Sequence, residues 1–340
     1  MSAHWPESGD GRPTPRLRDA PVLALSFGAE FSTVERWRYA IKPASWPKLL
    51  VPTVLGQLLG ILAAGGVSLP ALTLGLLFTL CNGAAIVLLN DWGDAEVDVL
   101  KRRMFPDGCS PKTLPDGVLP APALLVVGVT AAAAAVAVAF LLGAWLERAW
   151  LGAAGALCIL VFVAYSLPPV RLNYRGGGEA LEAIGVGALL PWLHAYAQSG
   201  QLWSPTWWVL AGFVGLSLAS ALASGLSDEE SDAAGGKRTV ATLAGNRFTR
   251  RMGEALVLLA AMSWVVAAWR VPALSLWAIV PAVVVMLYFW REMVRISPEA
   301  VTRAFARQTA YKQALHRAIW FGALTLAAGM LGTAAIGQNS

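Results

Sequence analysis

Two acidic stretches bring together residue types and spacings that do chemistry. They are NDWGDAEVD, residues 90–98, and DEESD, residues 228–232. On a helix, Asn90, Asp91, Asp94 and Asp98 fall on one face and Glu96 falls off it. Asp228 and Asp232, one helical turn apart, share a face, with Glu229 and Glu230 between them. Bases follow each stretch: Lys101 and Arg102 after the first, Lys237 and Arg238 after the second. Carboxylate and amide oxygens are hard ligands for Mg²⁺, which keeps several waters and shares its shell with substrate phosphates. Two facing acidic clusters repel each other unless a cation joins them. A diphosphate bridged by Mg²⁺ accounts for the acids and the bases together. The candidate metal ligands are therefore Asn90, Asp91, Asp94, Asp98, Asp228 and Asp232. The candidate diphosphate-binding cations are Lys101, Arg102, Lys237 and Arg238. One acidic cluster alone reads equally well as a solvated helix end. Two on the same side of a membrane, each followed by bases, are harder to read that way.

The elements that must position these groups are membrane spans. The 340 residues are 56% hydrophobic and 14% charged, with a mean hydropathy of +0.57. A soluble domain carries about 25% charged residues. Nine apolar runs are long enough to cross the hydrocarbon core: 47–67, 69–89, 119–143, 149–167, 179–198, 206–226, 253–270, 272–290 and 318–336. Trp46, Trp145, Trp150, Trp203, Trp207, Trp208, Trp269 and Trp290 sit near their ends, as interfacial aromatics do. The predicted fold is an all-α polytopic bundle of about nine transmembrane helices.

All Lys and Arg except Arg148 and Arg270 lie in the N-terminal segment or beside the loops after even-numbered spans. The positive-inside rule then puts the N-terminus in the cytoplasm and the C-terminus outside. Both acidic stretches close even-numbered spans, so they meet on the cytoplasmic side. The pI of 9.3 reflects this asymmetry toward anionic lipid and calls for no nucleic-acid partner. Residues 1–29 read as a disordered tail without a cleavable signal, and 30–340 as one membrane domain. Residues 30–42 suit an amphipathic helix lying on the membrane. Three scattered Cys and three distant His give neither a disulfide framework nor a zinc site. A membrane transporter is a remote alternative. Its sites usually lie near the midplane between inverted repeats, whereas these acids crowd one side.

The two motifs resemble those of the UbiA superfamily of intramembrane prenyltransferases, N-D-x-x-D-x-x-x-D and D-x-x-x-D, on the second and sixth spans. The resemblance covers roughly residues 40–336. DEESDAAGGKRTVATLAG is similar to the second motif of the menaquinone branch, which prenylates dihydroxynaphthoate. AYSLPPVRLNYRGGGEALEAIGVG resembles the loop between the fourth and fifth spans, with Tyr174, Arg175 and Glu179 in familiar places. Two departures bear on the acceptor: Lys112-Thr113 stands where Arg-Pro is common, and Asn173 where Lys is common.

The resemblance implies a Mg²⁺-dependent enzyme; the excess of Arg over Lys with abundant Ala suggests a bacterial source and hence the inner membrane, and the charge pattern puts the active site toward the cytoplasm. The implied enzyme would move an isoprenyl group from an allylic prenyl diphosphate to an aromatic, dihydroxynaphthoate-like acceptor in quinone biosynthesis. Asp91, Asp94, Asp228, Asp232 and Tyr174 are the implied catalytic residues. Arg175 joins the diphosphate-binding set, and Tyr165 or Tyr174 would stabilise the allylic cation through its ring. A terpene cyclase, which needs the same diphosphate site but no acceptor, is the alternative. Outside the site, His194 reads as a hydrogen-bonded structural residue. Gly152 and Gly155 read as close-packing positions, and Gln57 as facing either a cavity or a neighbouring helix.

Overall fold

The computed structural model describes residues 30–271 and 274–337, and side chains to residue 332. The expected tail at 1–29 lies outside the described residues. Helix α1 (Thr33–Ile41) opens with a capping box. The Ser32 hydroxyl accepts the Glu35 N–H at 3.4 Å, and the Glu35 carboxylate accepts the Ser32 N–H at 2.8 Å. The expected helix at 30–42 is present and leads directly into the bundle.

The spans follow in order: α2 (Pro47–Ala64), α3 (Leu69–Gly93), the short α4 (Ala95–Met104), α5 (Ala121–Trp145) and α6 (Leu151–Ser166). After the short α7 (Leu172–Arg175), α8 (Gly178–Ile184) and α9 (Leu190–Ser199) form one crossing, joined by a π-helical segment at Gly185–Leu189. Pro191 explains that joint. It has no N–H for the regular ladder, and the Leu190 N–H reaches back to the Gly185 carbonyl. The chain ends with α10 (Trp208–Ala234), the short α11 (Val240–Ala244), α12 (Asn246–Arg270), α13 (Leu276–Ile296) and α14 (Phe305–Gly337).

Among the described residues, eight helical stretches are long and apolar enough to span a membrane, and α6 is a shorter apolar helix. These occupy the nine predicted runs. The largest differences lie at one end of the bundle. There α10 runs past its apolar stretch to Ala234, α12 starts at Asn246, and α14 starts at Phe305. These polar turns stay helical because their charged groups are satisfied among themselves. Glu229 accepts from Asn246 Nδ2 (3.0 Å), Thr302 (2.9 Å) and Gln308 Nε2 (3.1 Å).

Two large apolar cores divide the bundle, and a small third cluster of Ala40, Leu88 and Leu124 seats α1 against α3 and α5. One joins α2, α10, α12, α13 and α14 around Trp264, Leu216 and Met286. The other joins α3, α5, α6 and α9 around Phe78, Leu142 and Leu151. Small residues allow the closest approaches. A Cβ on Gly155 would lie 2.3 Å from the Ala139 Cβ, and one on Gly56 would lie 2.2 Å from the Pro191 carbonyl oxygen.

His194, fully buried, pins α2, α3 and α9 together. Gln198 donates to the Gln57 Oε1 at 2.7 Å, so the Gln57 amide N–H faces His194 Nδ1 at 3.0 Å. The proton then sits on Nε2 and points to Thr79 at 2.9 Å. Gln57 thus faces neighbouring helices, and His194 is structural as expected.

Candidate active site

The two cores meet at the basic end of the bundle around a polar cavity of about 130 Å³. Asn90, Asp94 and Asp98 line it from α3 and α4, and Asp228 and Asp232 from α10. Helix α3 stops at Gly93 because its last carbonyl is diverted: Arg171 donates its guanidinium N–H to the Gly93 oxygen. The chain resumes as α4 after Asp94, with Asp98 one turn further into the cavity. On the other wall, α10 ends at Ala234 and Gly236 turns in the left-handed region at φ 73°. That turn folds Lys237 back, so that its N–H bonds the Asp232 carbonyl at 2.8 Å.

Each aspartate meets a lysine. Lys237 Nζ lies 2.8 Å from Asp94 Oδ2 and 3.8 Å from Asp232 Oδ1. Lys101 pairs with Asp228, Lys112 with Asp98, and Lys42 with Asp91. Burial opposes charge on Lys112, but Asp98 and Asp228 outweigh it and hold the ammonium above its ordinary pKa. Burial likewise opposes charge on Lys237, and Asp94 and Asp232 outweigh it. Burial pushes the Asp98 carboxyl up, against the pull of Lys112.

Sequence spacing missed several placements. Asp91 does not line the cavity; its carboxylate is held by Lys42 and by the Thr113 hydroxyl at 2.6 Å. Arg102 also points elsewhere, gripping Asp116 at 2.7 and 2.6 Å. Arg175 and Arg238 are exposed and line no part of the cavity. Glu96 is exposed, as expected from its place off the acidic face.

The Tyr174 ring is already covered by cations, with the Arg171 guanidinium 3.6 Å and the Lys237 ammonium 4.8 Å from its centroid. Burial, then the Asp94 charge, keeps its phenol protonated far above the ordinary range. Tyr165, by contrast, lines the polar cavity and also an adjoining apolar chamber of about 250 Å³. Lys112 is the cavity cation that spacing did not single out. Its only sequence signal was the Lys112-Thr113 departure after the first motif.

The donor set suits magnesium bound together with phosphate. Among the described residues no three acidic, His or Cys side chains already close on a single point. Four aspartates and the Asn90 amide, with Glu179 and Glu182 beside them, instead surround the cavity. Such an arrangement fits ions whose remaining ligands come from water and a substrate's phosphates. The buried Asn173 Oδ1, beside Asp94, has no hydrogen-bond partner.

The apolar chamber shares Asn90, Tyr165, Glu182 and Ser224 with the polar one, so the two adjoin. Its wall carries Asn82, 3% exposed, whose amide oxygen is buried without a partner. A wider space of about 840 Å³ lies between α1 and α14 and touches the polar cavity at Lys101.

The model of the UbiA prenyltransferase family matches residues 49–316. No curated protein matches the chain in sequence. Solved structures share the fold. A UbiA homologue from Archaeoglobus fulgidus bound to DMAPP and Mg²⁺ is 16% identical, with a TM-score of 0.61 over 88% of this chain and 99% of that one. The same organism's homologue bound to GPP and Mg²⁺ is 16% identical, with a TM-score of 0.60 over the same shares. The apo UbiA homologue from Aeropyrum pernix K1 is 13% identical, with a TM-score of 0.61 over 80% of this chain and 96% of that one. With its motifs on the matched helices and most of its length covered by the family model, the chain is an integral membrane protein belonging to the UbiA prenyltransferase family.

Proposed function

We propose that this protein transfers an isoprenyl group from an allylic prenyl diphosphate to an aromatic, dihydroxynaphthoate-like ring. The observation that carries this reading is an acid-and-lysine cavity that adjoins an apolar chamber, with Tyr165 lining both. Its structural neighbours bind DMAPP or GPP with Mg²⁺, and this cavity has the donors for both.

Asp94, Asp98, Asp228, Asp232 and Asn90 would hold Mg²⁺, which supplies charge neutralisation for the departing diphosphate. Lys101, Lys112 and Lys237 bind the phosphate oxygens and stay charged as they do so. The allylic carbon then lies at the junction of the two spaces, under the Tyr165 ring, whose π face stabilises positive charge. The apolar walls beyond it keep water from the cation. The ring attacks that carbon. The Glu182 carboxylate, which lies on both spaces and accepts from Lys48 at 3.0 Å, takes the ring proton. Asp91 acts through Lys42 and Thr113 rather than on the metal. Tyr174 props Lys237. The positive-inside pattern supports a cytoplasmic active site in a bacterial inner membrane.

Asn82 reads the acceptor. A buried amide oxygen without a partner is costly, and a ring hydroxyl donating to it would satisfy it. Asn82→Leu is expected to raise KM for the aromatic acceptor by about tenfold while KM for the prenyl diphosphate stays unchanged. The function itself is tested by mass spectrometry of products from a panel of aromatic acceptors with farnesyl and geranylgeranyl diphosphate and Mg²⁺. A C-prenylated ring supports it. A cyclic hydrocarbon formed without any acceptor overturns it in favour of a cyclase.

A further inference from the structure

We propose that Asp116, outside the cavity, is the positioning residue that aims Lys112 at the substrate's diphosphate; this rests on the prenyl diphosphate reading above. Asp116 is 2% exposed and saturated with donors. Arg102 donates Nε to its Oδ1 at 2.7 Å and Nη2 to its Oδ2 at 2.6 Å. The Tyr39 hydroxyl donates to Oδ2 at 2.5 Å, and the Lys112 backbone N–H donates to the same oxygen at 3.0 Å. One carboxylate thus ties α1, α4 and the loop before α5.

The loop closes tightly around this knot. The Asp116 N–H returns to the Lys112 carbonyl at 2.9 Å, and the Val118 N–H to the Thr113 carbonyl at 3.0 Å. Gly117 makes the intervening turn at φ 65°, in the left-handed region that favours glycine. The loop leaves this turn with two adjacent side chains fixed. Lys112 reaches Asp98 in the cavity, and the fully buried Thr113 reaches Asp91.

Neither contact follows from the acidic motif itself. Lysine's long stem has many rotamers, so an ammonium delivered from a loop needs its backbone fixed from outside the site. Asp116 does this without touching substrate. Burial, then the Asp116 bond and charge, raises the Tyr39 phenol above its ordinary pKa, so it remains a donor. Through Tyr39, α1 becomes part of the device that orders the site.

The test is a double-mutant cycle on binding, read by calorimetry with purified full-length protein, Mg²⁺ and the unreactive thiolo analogue of farnesyl diphosphate. Lys112→Met and Asp116→Asn are each expected to weaken binding by about tenfold, and the double variant to be within about twofold of Lys112→Met alone. A merely structural Asp116 gives multiplying effects, about a hundredfold in the double variant, and overturns the proposal. Unchanged binding in Asp116→Asn also overturns it. If Asp116→Asn does not fold, Tyr39→Phe replaces it, with a smaller weakening that again disappears in the Lys112→Met background. Binding that survives in Asp94→Asn and Asp232→Asn defeats the prenyl diphosphate reading. Binding lost there but intact in Asp116→Asn defeats the positioning role alone.

Discussion

Asp94→Asn and Asp232→Asn are each expected to abolish most turnover, by about a hundredfold or more, while leaving the fold intact. Loss of a single preorganised group that stabilises transition-state charge costs about that much. Here each change also removes a hard, charged oxygen donor from the metal set. The asparagine keeps the volume and one oxygen for Lys237, which lies 2.8 Å from Asp94 and 3.8 Å from Asp232. Alanine would leave the buried ammonium with one fewer partner and confuse lost chemistry with lost stability. Steady-state release of inorganic diphosphate checks the effect, and thermal melting in detergent checks the fold. Glu96→Gln is the matched control. It lies in the same motif but is exposed, and its activity should equal that of the parent.

The second large effect is on stability. Gly56→Ala places a Cβ 2.2 Å from the Pro191 carbonyl oxygen and 2.7 Å from its Cα, both backbone atoms of α9 that no rotamer change can move. Helix α2 must then shift off α9. Overpacking of this kind costs about 1–3 kcal/mol, and the shift also strains the Gln57–His194 and Gln57–Gln198 bonds across the same interface. Gly66→Ala, where an added Cβ meets nothing within 4 Å, should leave the melting temperature unchanged. Equal melting of the two variants would show that this contact does not limit stability.

The bundle was legible because nine apolar runs admit few arrangements other than nine crossings. The extents of α10, α12 and α14 were not, because hydropathy falls at the first charged turn, whereas hydrogen bonding to Glu229 keeps the helices going. The acidic motifs announced the cavity, yet helical spacing could not sort their members. Asn90 and Asp91 stand about 100° apart on α3, at opposite edges of the acidic arc. Asn90 falls on the cavity and Asp91 on the side of α1. Charge in the motif could not say which neighbour would claim it.

The bases show the same limit. Arg102 adjoins Lys101 in sequence, but Lys101 meets Asp228 and Arg102 meets Asp116. Lys112 comes from a loop whose direction depends on the turn at Gly117 and on the Asp116 knot. Its place in the cavity follows from tertiary contacts. Tyr174 looked like a cation-stabilising ring, and only the packing of Arg171 and Lys237 on it shows that its face is taken.

The most direct measurement follows both products of one reaction. Purified protein in lipid nanodiscs is given geranylgeranyl diphosphate and a dihydroxynaphthoate-like acceptor, with Mg²⁺ or with excess EDTA. Inorganic diphosphate and prenylated ring are quantified together. Equimolar release of diphosphate and prenylated ring, present with Mg²⁺ and absent with EDTA, is the expected result. Diphosphate release that persists in EDTA, or that yields no prenylated ring with any aromatic acceptor, would contradict the account.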